Sequence, residues 1–229
     1  MKKISIIIPA FNEEATIENL LLKVMKVDFG KWKSEIIVVD DGSTDKTSKV
    51  LSESKRKREK FKVIRHKKNR GKGAAIQTGL KHIKGDAVIV QDADLEYDPK
   101  EIKKLLKELE KGKTEIIFGA RNVNVSKKDQ FLYVWGINLS TFLLNIFYGS
   151  NITDLYTCYK LYRADLFQEY SAKKTGFEWD IEMITGLLKK GYKISEVPIK
   201  YKPRKFSEGK KIRPWDGIIG LWVIIKNRF

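Results

Sequence analysis

Along the first half of the chain the hydrophobic pattern switches repeatedly between two periods. Residues 4–10 form a near-continuous apolar run, the pattern of a parallel strand covered on both faces, with Pro9 close to its end. After Phe11-Asn12-Glu13-Glu14, apolar residues Ile17, Leu20, Leu21 and Val24 recur at helical spacing within 16–26. The pair then repeats. Residues 35–39 predict a strand, Asp40-Asp41-Gly42-Ser43-Thr44-Asp45 a turn with capping residues, and 47–58 a helix whose basic end, 55–60, is solvated. A third strand over 61–65 leads to the glycine-rich basic loop Asn69-Arg70-Gly71-Lys72-Gly73, which opens a helix over 74–83 and could hold an anion. A fourth strand over 86–91 is followed by Asp98-Pro99 as N-cap and first-turn proline of a helix reaching Glu110, stopped by Gly112. A further strand, 115–119, leads to Arg121.

Such alternation predicts an α/β fold with a mostly parallel, doubly wound sheet, whose ligands bind beyond the carboxyl ends of the strands. Phe11-Asn12-Glu13, Asp40-Asp41, Asp92-Ala93-Asp94 and Arg121 all fall at such ends.

After Arg121 the alternation lapses. Residues 130–153 contain no charged side chain, and 131–148 read either as a helix packed on the sheet or as an amphipathic helix that meets lipid. An aromatic-rich turn and strand over 154–162 follows. Glu178-Trp179-Asp180-Ile181-Glu182 then opens a helix ended by Gly191; its acidic residues either complement the helix dipole or act directly. The last strand, 194–201, contains Pro198 and is therefore expected at a sheet edge. A loop over 202–213 carries six basic residues, and a helix over 216–229 has an apolar run, 217–225, that could lie on a bilayer with Lys226 and Arg228 at the headgroups. No stretch has the roughly 20 apolar residues of an ordinary transmembrane helix.

Composition narrows the partners. With 229 residues the chain suffices for a single large domain. The net charge of +17, from 46 basic and 29 acidic residues, favours polyanions: nucleic acid, an anionic membrane surface or phosphorylated ligands. Nucleic acid is the weakest of these, because no nucleic-acid motif is present and the aromatics cluster in apolar segments rather than among the lysines. Cys158 is the only cysteine, which excludes an intrachain disulfide and suits a reducing compartment.

The stretch Val88-Ile89-Val90-Gln91-Asp92-Ala93-Asp94-Leu95-Glu96 carries the chemistry. An apolar strand ends in three acidic side chains, and Asp92, Asp94 and Glu96 can offer hard oxygen ligands to Mg²⁺ or Mn²⁺. Alone, an acid-x-acid triplet equally describes a solvated turn. A metal at a sheet edge beside basic loops points instead to a nucleoside diphosphate, whose departure the metal would assist. The chain lacks a Walker lysine loop, which argues against P-loop phosphoryl transfer and favours transfer of a sugar from the diphosphate.

Four segments, Ile6-Ile7-Ile8-Pro9-Ala10-Phe11-Asn12-Glu13, Val38-Val39-Asp40-Asp41-Gly42-Ser43-Thr44-Asp45, Asn69-Arg70-Gly71-Lys72-Gly73 and Gln91-Asp92-Ala93-Asp94, resemble the opening motifs of family 2 glycosyltransferases with the GT-A fold. Within that family the chain is similar to the dolichyl-phosphate mannose and glucose synthases. The resemblance implies one GT-A domain over 1–229, with a nucleotide-sugar half at 1–121 and an acceptor- and membrane-facing half at 122–229. It implies that Pro9, Ala10, Phe11, Glu13, Val39, Asp41, Lys72, Asp92 and Ala93 bind the nucleotide sugar, Asp41 at the base. Asp92, Asp94 and Glu96 would hold the metal, with Glu96 where relatives often have glutamine. Asp94 and Arg121 would be catalytic, and Arg121, Arg204 and Lys210 would meet the acceptor phosphate; Ser207 and Gly209 depart from the glycine and serine expected in that late loop.

The implied reaction is inverting transfer of a hexose, from GDP-mannose or UDP-glucose, to a polyprenyl phosphate at the cytoplasmic face of the membrane. The implied attachment is peripheral, with room for a separate membrane-anchoring subunit. An alternative keeps the fold and uses an alcohol acceptor with a carboxylate base such as Asp180.

Overall fold

A computed structural model of the chain describes residues 2–58, 60–121, 131–204 and 214–229. Its strands are β1 (Lys3–Ala10), β2 (Lys33–Asp40), β3 (Lys62–Arg65), β4 (Ala87–Val90), β5 (Ile116–Arg121), β6 (Lys160–Arg163) and β7 (Ile194–Ile199). They form one sheet in the order β3-β2-β1-β4-β6-β5-β7. Every pairing is parallel except those of β6, which runs antiparallel to both β4 and β5.

The helices are α1 (Ile17–Met25), α2 (Thr47–Arg58), α3 (Lys72–Leu80), α4 (Ile102–Glu110), α5 (Phe131–Tyr148), α6 (Leu166–Glu169), α7 (Trp179–Lys189) and α8 (Pro214–Arg228). Alternate residues of β1 feed opposite faces, as the two-residue period of a strand requires. Ile4, Ile6 and Ile8 join a core with Leu20, Leu21 and Val24 of α1, Leu51 of α2 and Leu105 and Leu106 of α4. Ile7 instead lies under α3, so close that a Cβ on Gly79 would sit 2.6 Å from its side chain. The same face carries a second core, in which Phe118 of β5 packs with Leu144 of α5, Ile184 and Leu187 of α7 and Ile224 of α8. Each fully buried Ile or Leu contributes roughly 1.5–3 kcal/mol relative to exposure.

Two details place the site. Strand order reverses between β1 and β4, because the chain winds from β1 through β2 to β3 on one side before crossing to β4 on the other. That switch point is where open α/β sheets bind ligands. The N–H of Gln91 donates to the carbonyl of Ile7, so Ile7 faces β4. Pro9, two residues on, faces the same way beyond the last β1–β4 partner, and its missing N–H costs no ladder bond.

The sequence reading of alternating strands and helices holds, and Pro198 does lie in an edge strand. Three points differ. The strand expected within 154–162 is only Lys160–Arg163, and it inserts antiparallel between β4 and β5. Helix α3 begins at Lys72 rather than Ala74, because Gly71 at φ 96° turns the chain directly into it. The short α6 had no counterpart in the sequence reading; four residues are too few to show a helical period.

Candidate active site

The loop after β4 brings its carboxylates together through a left-handed turn. Leu95, at φ 63°, is one of two described non-glycine residues with positive φ; Asn12, at φ 51° in the facing loop after β1, is the other. Such a conformation is unfavourable for leucine by about 1–2 kcal/mol and is ordinary for asparagine. Around this turn the acidic residues meet two basic side chains. Lys72, the first residue of α3, places Nζ 2.5 Å from Asp92 Oδ1. Arg204, just beyond β7, donates from Nη2 to Asp94 Oδ2 at 2.8 Å and lies 3.7 Å from Glu13 Oε2 and 3.6 Å from Glu96 Oε1.

The electrostatics divide the two aspartates. Burial works against ionisation of Asp92, but the Lys72 ammonium beside it holds its carboxyl below the usual range. Burial and the neighbouring Asp92 and Glu96 carboxylates push Asp94 up to about 7 in spite of Arg204. Glu96 is held differently. It accepts from the Tyr201 hydroxyl at 2.7 Å and from the Arg204 backbone N–H at 2.9 Å, tying the end of β7 to the acidic loop.

These residues suit a divalent metal ion. Asp92 and Asp94 are hard oxygen donors, and Asp94 is a crowded, partly buried carboxylate that an added cation would relieve. Among the described residues no cluster of three or more His, Cys, Asp or Glu is arranged to hold a metal without help, so further ligands would have to come from a bound diphosphate or water.

The remaining sequence candidates are distributed as follows. Pro9 and Ala10 close β1, Phe11 is half-buried beside them, and Glu13 is buried and accepts from the Thr16 hydroxyl at 2.8 Å. The Val39 side chain is fully buried and packs with Ala75 of α3. Ala93 is buried between the two aspartates. Asp41 is engaged on both oxygens: His66 Nδ1 lies 2.6 Å from Oδ1, and the backbone N–H groups of Arg70 and Gly71 donate to the carboxylate at 3.0 and 2.8 Å. It therefore clamps the glycine-rich loop onto the end of β2. Arg121, at the end of β5, forms a two-pronged pair with Asp154, Nε to Oδ2 at 2.7 Å and Nη2 to Oδ1 at 2.8 Å, and stacks 4.9 Å from the centre of the Tyr201 ring. Lys210, Ser207 and Gly209 lie outside the described residues.

Several partners were not singled out from sequence. Asp154 is the counter-charge of Arg121, His66 supports Asp41, and Lys160, fully buried on β6, pairs with Asp180 at the start of α7. The signal for Lys160 was a lone lysine within an aromatic strand, Tyr159-Lys160-Leu161-Tyr162. Asp154 carried no local signal.

Comparison with known proteins agrees with this geometry. The profile of "Glycosyl transferase family 2" matches residues 5–171. The chain is 28% identical over 207 residues to the low-salt glycan biosynthesis hexosyltransferase Agl6 of Haloferax volcanii, covering 88% of this chain and 48% of that protein. It thus spans about half the length of that relative. It is 31% identical over 222 residues to an uncharacterised protein of Methanocaldococcus jannaschii, covering 92% of this chain and 86% of that one. In fold it resembles glucosyl-3-phosphoglycerate synthase from Mycobacterium tuberculosis, solved in complex with Mn²⁺, UDP and phosphoglyceric acid, with TM-score 0.77 and 20% identity over 99% of this chain and 78% of that one. The same enzyme with Mg²⁺ and UDP matches at TM-score 0.76. With a profile match spanning most of the chain and acidic, basic and glycine-rich loops gathered at the sheet's switch point, this protein belongs to glycosyl transferase family 2 and has the GT-A fold.

Proposed function

We propose that the protein transfers a hexose from a nucleotide sugar to a polyprenyl phosphate at a membrane surface, with a divalent ion held by Asp92 and Asp94. The ion, when bound, supplies Lewis-acid and electrostatic stabilisation of the departing diphosphate. The chain's own residues do the rest. Asp41 fixes the loop from which α3 starts, and so holds Lys72 beside Asp92, from where it would meet the donor's phosphates. Arg204 and Arg121 would meet the acceptor's negative charge and reduce the repulsion between two anions brought together.

A monophosphate acceptor is already ionised at neutral pH, with a second pKa of about 6, and needs no general base. Asp180, the candidate base of the alcohol-acceptor alternative, is already paired with the buried ammonium of Lys160.

The observation that carries the lipid reading is the distribution of exposed apolar side chains. The large ones among the described residues are Phe142 and Ile146 on α5, Ile218, Trp222 and Ile225 on α8, and Phe229 just beyond it. The two helices are joined by the Tyr148 hydroxyl donating to the Ile224 carbonyl at 2.9 Å and by edge-on packing of Phe147 against Phe229. Lys174 and Lys226 flank Trp222, at 5.4 and 4.5 Å from its ring. Apolar side chains rimmed by lysines fit the interface of an anionic bilayer. No helix among the described residues is long and apolar enough to cross one. The residues from Lys174 to Phe177 connect this patch to the donor loop, since Lys72 Nζ lies 5.8 Å from the Phe177 ring.

The test is a panel of GDP-mannose and UDP-glucose with Mn²⁺, offered a short polyprenyl phosphate in anionic vesicles or a soluble, unphosphorylated sugar alcohol. A glycolipid product is expected. Product from the soluble alcohol alone would move the assignment to the other acceptor class.

A further inference from the structure

We infer that Arg204 is a tethered counter-ion of the acidic cluster, competing with the divalent ion for Asp94, and that the guanidinium so displaced is the one presented to the acceptor. This rests on the metal reading proposed above.

Three carboxylates from two loops, Glu13, Asp94 and Glu96, surround one guanidinium that is only 17% exposed. The shortest of these contacts, 2.8 Å from Nη2 to Asp94 Oδ2, uses a carboxylate that a metal would need. Coulombic repulsion disfavours a divalent ion and a guanidinium on that same oxygen.

The backbone is arranged so that the side chain can leave without its segment. Glu96 accepts from the Arg204 N–H at 2.9 Å and from the Tyr201 hydroxyl at 2.7 Å, and its carbonyl accepts from Lys202 N–H at 2.9 Å. Tyr201, Lys202 and the Arg204 backbone are thereby anchored to the acidic loop, and only the arginine side chain has to swing. Glu96 is then a positioning residue for the Arg204 segment, since both its oxygens are engaged there. Lys72 differs: it starts α3, pairs with Asp92, and lies on the donor side. Loading the donor side would thus release a positive charge beside the acceptor phosphate, favouring donor before acceptor.

The experiment is a Mn²⁺ titration followed by electron paramagnetic resonance, on wild type, Arg204→Ala and Arg204→Lys, with Mn²⁺ alone and with UDP added, and with thermal melts as a folding control. Removing one charge at contact distance predicts tighter Mn²⁺ binding by Arg204→Ala, on the order of ten-fold, with Arg204→Lys in between. Steady-state kinetics of Arg204→Ala should show KM for the lipid phosphate rising at least as much, with KM for the nucleotide sugar little changed. Equal or weaker Mn²⁺ binding by a folded Arg204→Ala, with wild type binding normally, overturns this inference alone. Should Arg204→Ala not fold, Arg204→Lys decides in the same way. Wild type that binds no Mn²⁺, alone or with UDP, overturns the metal reading as well.

Discussion

Asp94 combines the two opposed demands of the site. Its carboxylate is crowded and partly buried beside Asp92 and Glu96, an arrangement unfavourable to the fold and useful to a cation. Asp94→Asn should therefore abolish transfer, by a factor of at least about 100, while the melting temperature stays level or rises; such losses are typical when electrostatic stabilisation of a leaving group is removed. A melt in parallel with the transfer assay checks both halves. Arg121 makes the contrary case. Its guanidinium is buried and held by Asp154, so Asp154→Ala leaves a buried charge unpaired and should cost about 3–5 kcal/mol in a denaturant melt. The acidic triplet was visible in sequence because its three carboxylates are neighbours along the chain. Asp154 was not, because its partner lies 33 positions away on a strand that pairs out of sequence order.

At the level of elements, the strand and helix periods before Arg121 were readable because strands and helices alternate there along the chain, each long enough to show its own period. The position of β6 was not readable, since nothing within Lys160–Arg163 specifies that it should separate β4 from β5. In the proposed reading the glycine-rich loop is the element on which donor binding turns. Gly71 adopts φ 96°, and a Cβ there would lie 2.5 Å from the Thr175 carbonyl oxygen. Gly71→Ala is thus strained in backbone and in space. It should displace the start of α3 and with it Lys72, raising KM for the nucleotide sugar about ten-fold or more with a smaller effect on the acceptor; initial-rate kinetics with each substrate varied separate the two. The choice left open in sequence for α5, between packing on the sheet and meeting lipid, has no single answer by residue: Leu144 is fully buried in the core while Phe142 and Ile146 are exposed.

For the whole molecule, the charge of +17 acquires a direction only through the fold. Sequence alone could not say which of many lysines act together; the packing of α8 brings Lys174 within 5.4 Å of the Trp222 ring that Lys226, on the same helix, meets at 4.5 Å. Replacing Ile146 and Trp222 together by glutamate should remove sedimentation with anionic vesicles and leave the circular dichroism unchanged, because both side chains are half exposed or more. Wild-type sedimentation should weaken, but not vanish, as salt rises, since screening affects the lysines and not the apolar contacts. All of this presupposes that the donor is held at the switch point between β1 and β4. The most direct measurement is anomalous scattering from crystals soaked with Mn²⁺ and UDP: the account predicts a manganese peak within coordinating distance of Asp92 and Asp94 with the diphosphate beside it, and a peak lodged elsewhere, with those two carboxylates uncoordinated, would contradict it.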